Sequence, residues 1–331
     1  MDLSTTYLGL KLPHPLISGA SPLTDDLDMV RRLEAAGAAA IVMNSLFEEQ
    51  ITLEDNAAQA QRDENQDSFA EAQSFFPQST DFAYGPRAWL DQVARIKATV
   101  KVPVIASLNG TTATGWVRYA RQIEEVGADA LELNIYLLAT RSQVDGRQIE
   151  DRVVEVAEAV RDSVHLPLAV KLSPFYSSLP NLVRRLDAVG VTAVVLFNRF
   201  LQPDIDIERL EVAPKLVLST PSELLLRLRW LAILHGRTNM ELSASGGAHT
   251  AEDVIKALMA GANTVQVVSA LLKHGPEHIG VLRAGLEKWM VEHEYDSVRQ
   301  MRGSMSLQRC PDPEAFERGN YAKVLKTWRP S

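Results

Sequence analysis

Cysteine is nearly absent. Cys310 stands alone in 331 residues, which excludes an internal disulfide, a cysteine-type zinc cluster and an iron–sulfur site built within this chain. That usage predicts a reducing, cytoplasmic setting. Long apolar runs are missing as well: no window reaches the roughly 18 consecutive apolar residues of a membrane span. The opening stretch, MDLSTTYLGLKLPHPLISGASPL, has no basic segment followed by an apolar signal core. Nor is there an excess of basic residues. Lys and Arg number 34 against 42 Asp and Glu, for a formal charge of -8, and no segment concentrates cations on one face, which argues against a nucleic-acid partner. Metal-ligand spacing is also lacking. His14, His249 and His274 fall near predicted turns, and DIDIE (204–208) supplies too few oxygen donors for a hard cation, so no metal is assigned.

What the chain does have is apolar content of 46%, enough for a large core, and a repeated alternation of short β-type runs with helical segments. The strand candidates are HPLISGAS (14–21), AAIVMNS (39–45), VPVIASLNG (102–110), DALELNIY (129–136), LPLAVKLSP (166–174), VTAVVLFNR (191–199), MELSASGGAH (240–249) and NTVQVVSALL (263–272). Each is mostly apolar on both faces, as buried parallel strands are. Gly37, Gly127, Gly190 and Gly261 stand where left-handed helix caps belong, just ahead of the next strand. Eight such units predict an α/β fold closed as a TIM (β/α)8 barrel. An open doubly wound sheet is the alternative, but no G-x-G-x-x-G follows the first strand. Two insertions interrupt the rhythm, at about 46–85 after strand two and 200–221 after strand six. Both leave from strand C-terminal ends, where barrel enzymes place their chemistry, and are expected to cover a pocket.

Several strands end on a polar side chain: Asn44, Asn109, Asn134, Lys171 and Asn198. At one rim these form a ring of hydrogen-bonding groups around an apolar mouth, the outline of a ligand site. Lys171 closes a buried run, so its ammonium must reach solvent or meet an acceptor. After strand seven, Gly246 and Gly247 offer backbone N–H groups ahead of a helix, and Ser269 ends strand eight. Loops after strands seven and eight are the usual phosphate site of such barrels. A phosphorylated cofactor across the mouth follows, and FMN and pyridoxal phosphate both fit; with the latter, Lys171 is the Schiff-base nucleophile.

In order along the chain, LSTTYLGLKLPHPLISGAS, LELN, VKLSP, LFN, SGGAHTAEDVIKALMAGA and VQVVSALLKHGP resemble the dihydroorotate dehydrogenase family of FMN-containing TIM barrels. The resemblance runs through nearly the whole chain. It implies a single FMN-binding domain over residues 1–331 with an N-terminal β-hairpin, and a homodimer. It implies that Ala20 and Ser21 line the flavin and that Lys171 opposes negative charge near N1 and O2 of the reduced ring. Gly246, Gly247 and Ser269 hold the phosphate, and Asn134 and Asn198 place flavin or orotate. Asn44 and Asn109 complete the cofactor-binding set.

The departures fall on the other half of the site. Where the family reads N-x-S-C-P-N, or carries Ser as the base, this chain has Asn134-Ile135-Tyr136-Leu137-Leu138-Ala139, and Leu137 cannot accept a proton. Asn44 replaces a lysine after strand two, and the substrate loop N-x-x-G-x-x-N is not recognisable. The expected activity is an FMN oxidoreductase similar to the enzymes that convert dihydroorotate to orotate in pyrimidine biosynthesis, with altered substrate chemistry. Tyr136, Lys171 and Arg199 are the catalytic candidates, with Arg199 as an anion anchor for an orotate-like or other small anionic compound, and Thr140 and Ser142 are further proton-handling candidates. The electron acceptor is not legible. Two other readings are a flavin-binding electron-transfer or regulatory protein without dihydroorotate turnover, and a flavin-free aldolase-type barrel using Lys171 as an imine former.

Overall fold

The computed structural model describes residues 1–50, 85–110, 113–135, 137–199, 202–213, 215–317 and 320–327. The chain opens with a hairpin of β1 (Thr5–Tyr7) and β2 (Leu10–Leu12). Its two-residue turn, Leu8–Gly9, has φ of 54° and 69°, the left-handed pair that matches strand twist in tight hairpins. Leu8 accepts that backbone because its side chain is buried.

Eight parallel strands follow: β3 (Leu16–Ser18), β4 (Ile41–Val42), β6 (Val104–Gly110), β7 (Ala130–Ile135), β8 (Leu168–Leu172), β9 (Ala193–Leu196), β12 (Glu241–Ser245) and β13 (Thr264–Val267). They pair in ring order, and the β4–β6 ladder (Ile41 with Val104, Val42 with Ile105) closes the barrel. Short β5 (Leu46–Phe47) extends the sheet beside β6 above that closure. Helices return between successive strands. Gly37, Gly127, Gly190 and Gly261 all have positive φ, as the helix-end positions demand, and Pro86 opens the helix Pro86–Thr99.

The strict two-residue alternation of strands decides what lies inside the barrel. Leu131, Leu133 and Ile135 of β7, Leu168, Val170 and Leu172 of β8, and Val265 and Val267 of β13 point outward into the main core beneath the helices. The inward positions differ by height. At the floor, Ala130, Ala169 and Ala193 leave room for Tyr7, Leu8 and Leu12 of the hairpin, which plug the barrel from below. Higher up, the inward residues turn polar: Glu132, Asn134, Lys171 and Gln266. The hairpin thus seals one end of the barrel, and the polar layer stands at the other.

Of the two insertions, 51–84 lies outside the described residues, and with it most of the first expected cover. The second contains an antiparallel hairpin, β10 (Asp204–Asp206) with β11 (Glu211–Ala213). Asp206 there accepts the backbone N–H of Glu208 and Arg209, a turn-capping task. Ile205 and Val212 pair across this hairpin and are 69% and 68% exposed.

His14, at the entrance to β3, is 4% exposed. Its Nδ1 accepts the Leu16 N–H at 3.3 Å, so the neutral ring is the one the fold uses. Burial, opposed by a backbone hydrogen bond to Gly37 and aided by the Arg283 charge, pushes its pKa down to about 4. The unfolded chain takes up this proton near pH 6.5 while the folded chain refuses it until about pH 4, so stability falls as pH drops between those values. The loss expected from this one ring is about 3 kcal/mol. Urea denaturation across pH 4–7 should show that slope, and His14→Gln, which cannot ionise, should flatten it.

Candidate functional site

The centre of the site is a buried ion pair. Glu132 on β7 is fully buried, and its Oε1 accepts from Lys171 Nζ of β8 at 3.2 Å. Gln266 of β13 closes the triangle: its Nε2 donates to Glu132 Oε2 at 2.6 Å, and its Oε1 accepts from Lys171 at 3.3 Å. Two opposite charges inside a barrel are tolerable only when each also has its hydrogen bonds satisfied, and the amide of Gln266 supplies both a donor and an acceptor. Below them lies Tyr7, whose hydroxyl is pushed well above its ordinary pKa, first by burial and then by the Glu132 charge. The lysine therefore meets a carboxylate on one side and faces the mouth on the other.

Two cavities of about 120 and 450 Å³ open above this pair, and both are bounded by Ala20, Lys171, Asn198 and Arg199. The smaller lies against the loops after β12 and β13. Gly246 and Gly247 line it and take φ of 92° and 87°, a left-handed backbone that glycine adopts without strain. At Gly247 a Cβ would come within 2.5 Å of the Leu224 backbone nitrogen, so no side chain fits. Ser219 is part of the same wall. Its Oγ accepts the Gly247 N–H at 3.3 Å and lies 3.3 Å from His249 Nε2, and its own N–H donates to Ser269 Oγ at 3.0 Å. Thr250 then caps the helix Ala251–Ala260 in a reciprocal box with Asp253. Arg227, 5% exposed, braces the loop by donating to the Ser245 carbonyl at 3.0 Å and the Glu223 carbonyl at 2.7 Å.

The larger cavity is lined on its far side by Asn44, Ser45, Phe47, Glu49, Asn109 and Asn134. Asn44 is fixed by its N–H to Thr24 Oγ1 at 2.7 Å and by its amide to the Asp25 carboxylate at 3.2 Å. Burial pushes the Asp25 carboxyl up, opposed by that bond to Asn44. Ser45 and Ser107 share a hydroxyl hydrogen bond of 2.8 Å. The Oδ1 of Asn134 is buried and has no hydrogen-bond partner among the described residues. An orphaned acceptor of that kind in a cavity wall is a group waiting for a ligand donor.

Most of the residues expected from the sequence therefore meet. Ala20, Asn198, Arg199 and Lys171 stand at the shared wall, Gly246, Gly247 and Ser269 at the smaller cavity, and Asn44, Asn109 and Asn134 at the larger. Ser21 does not join them. It is buried, lines neither cavity, and precedes the turn Pro22–Thr24, its carbonyl accepting from Thr24. Arg199 is not a free anchor, because its guanidinium meets the Glu223 carboxylate twice at 3.4 Å. Thr140 and Ser142 are exposed and line neither cavity, and Tyr136 lies outside the described residues. Sequence reasoning missed Glu132, Gln266, Ser219 and Glu49. Glu132 alone had a visible signal, a carboxylate two residues before Asn134 within an apolar strand, and so on the same face.

A family model described as dihydroorotate dehydrogenase matches residues 59–290. The chain is 27% identical over 311 residues to the dihydroorotate dehydrogenase B (NAD(+)) catalytic subunit of Thermoplasma volcanium, covering 91% of this chain and 98% of that one. It is 24% identical over 329 residues to the NAD-dependent dihydropyrimidine dehydrogenase subunit PreA of Escherichia coli K12, covering 91% and 76%.

The buried triangle generates a direct test. Glu132→Ala leaves the Lys171 ammonium without its carboxylate in the barrel and should destabilise the fold by about 3–5 kcal/mol. Adding Lys171→Met removes the stranded charge, so the double variant should unfold at higher urea concentration than Glu132→Ala alone.

Proposed function

Because the chain belongs to the dihydroorotate dehydrogenase family, we propose that it is an FMN-dependent oxidoreductase that exchanges hydride with a small ring compound. The observation that carries this reading is the pair of adjoining cavities sharing Lys171 as their common wall. One ends in a glycine nest fit for a phosphate, and the other is ringed by asparagines. A built phosphate site, an apolar-backed rim and a cation at the junction match an elongated phosphorylated cofactor lying across the mouth.

Residues 1–331 then serve as a single FMN-binding domain. The Gly246–Gly247 loop, with the hydroxyls of Ser219 and Ser269, holds the phosphate. FMN supplies the hydride-accepting and hydride-donating centre when bound. Lys171, pinned by Glu132 and Gln266, keeps its ammonium where negative charge develops at the ring edge, already oriented and with no reorganisation needed. The amides of Asn134 and Asn198 orient what lies above, and Ala20 keeps that wall apolar. The proton that accompanies the hydride falls to the hydroxyl of Tyr136, since Leu137 has none to give or take. Arg199, paired with Glu223, positions rather than captures.

A homodimer and a cytoplasmic setting belong to the same proposal. The cross-strand pair Ile205 and Val212, open to solvent on a lone two-stranded hairpin, supports the dimer, because such a hairpin is marginal in water unless its apolar side is covered. The second reading, a flavoprotein that passes electrons without oxidising dihydroorotate, is favoured by Leu137 alone.

The purified protein should show the yellow flavin absorbance, or acquire it on addition of FMN. Gly247→Ala should retain at least tenfold less FMN, since its Cβ would displace the Leu224 backbone. A colourless protein that takes up no FMN overturns the proposal. Anaerobic mixing of the loaded protein with dihydro-compounds separates the two readings: loss of the yellow absorbance shows substrate oxidation, and an unbleached flavin supports electron transfer.

A further inference from the structure

A further cavity, of about 390 Å³, opens at the hairpin end of the barrel and shares no residue with the two at the mouth. Three cations converge on it: Lys11 from β2, and Arg299 and Arg302 from the short helix Val298–Met301 and its end. Among the described residues none of the three makes a salt bridge, whereas pairs such as Arg32 with Glu277 and Lys256 with Glu252 form readily elsewhere on the surface. Arg302 is half-buried, its Nη1 donating to Thr5 Oγ1 at 3.4 Å. Burial lowers its pKa, Glu241 at the start of β12 opposes that, and the Arg299 charge adds to it. Two guanidiniums and an ammonium gathered around one volume repel each other, and an anion between them relieves the repulsion.

The two segments that carry these cations are tied together. The Asp2 N–H donates to the Asp296 carbonyl at 2.8 Å, and the Val298 N–H to the Asp2 carbonyl at 2.9 Å. Asp2 also brings the one carboxylate of the wall, held below the usual carboxylate range first by its hydrogen bonds to Ser4 and further by the Arg299 charge. Three cations against one carboxylate leave the wall with two net positive charges, which a phosphate dianion balances. The rest of the lining is hydroxyl: Ser4, Thr5 and Thr6, each both donor and acceptor. Thr5 Oγ1 is fixed by donating to the Asn263 carbonyl at 2.9 Å. Among the described residues no aromatic or aliphatic side chain lines the cavity, so nothing there stacks on a base or buries an apolar tail. Its volume exceeds what a bare phosphate fills and falls in the range of small-molecule sites.

We propose that this cavity binds a sugar phosphate, with the phosphate among Lys11, Arg299 and Arg302 and the sugar hydroxyls on Ser4, Thr6 and the Asp2 carboxylate. Arginine forks and a lysine ammonium are the side chains that hold phosphate oxygens best, and a hydroxyl-rich wall suits a hydroxyl-rich carrier. A ligand seated there joins the hairpin that plugs the barrel to the C-terminal turn. Only the folded chain presents the site, so occupancy stabilises the fold. Because the cavity shares no wall with the mouth, the site stands whether or not FMN occupies the mouth.

Ribose 5-phosphate, ribose and inorganic phosphate are the probes, each titrated by calorimetry into the full chain in the presence of excess FMN. Ribose 5-phosphate should bind at least tenfold more tightly than either fragment and should raise the unfolding temperature. Lys11→Gln combined with Arg299→Gln, both at exposed positions, should weaken that binding at least tenfold while the unfolding temperature without ligand stays as it was. Gly247→Ala, at the mouth, should leave the binding unchanged. No binding of ribose 5-phosphate, inorganic phosphate held as tightly as the sugar phosphate, binding that survives the double variant, or binding lost in Gly247→Ala overturns the proposal. Failure of the FMN reading shows separately, as protein without flavin absorbance, and the same variants still tell the hairpin cavity from the glycine loop.

Discussion

A carboxylate and an ammonium locked inside a closed barrel set the terms for everything above them. Glu132 and Lys171 sit on neighbouring strands in the interior layer, and Gln266 reaches both from across the barrel. A charge so placed cannot be left single, because the penalty for an unpaired ion in that environment rivals the net stability of an ordinary domain. Each of the three therefore constrains the other two. Below them alanines leave room for the hairpin plug, and above them asparagines line the larger cavity.

The two cavities are built by different physics. The smaller cavity is bounded by main chain: two glycines with positive φ, a serine hydroxyl taking the N–H of one of them, a capped helix behind, and Arg227 bracing the loop from within. Backbone recognition needs little beyond the absence of a Cβ at the right place, and Leu224 enforces that absence at Gly247. The larger cavity is bounded by side chains, and side chains change singly. Asn44 where a family lysine is expected, and Leu137 where a base is expected, alter what can be held without disturbing the barrel beneath.

Much of this could be read from the residues in order. Apolar runs separated by glycine-ended helices point to parallel strands covered by helices, and their number, eight, with no G-x-G-x-x-G after the first, points to a closed barrel. The polar residues at several strand ends then fall at one rim by topology alone, and the Gly-Gly loop after the seventh strand falls at the smaller cavity. Ser21 stands three residues past the end of β3, where the chain is already turning and its carbonyl closes the turn with Thr24. Arg199, expected as an anion anchor, meets Glu223, and nothing local marks that residue, twenty-four positions on, as its partner.

The stretch LELN holds the division between the two kinds of information. Alternation along one strand places Glu132 and Asn134 on the same inward face, and that needs only the two-residue period of an extended chain. Lys171 lies 39 residues from Glu132, and Gln266 lies 134 residues away. Local pattern determined the strands, the glycine caps and the ring of rim residues, because each depends on neighbours a few positions off. Barrel closure decided which charges cancel, and with that the electrical character of the mouth, because ion pairs form across distances in sequence that no local pattern spans.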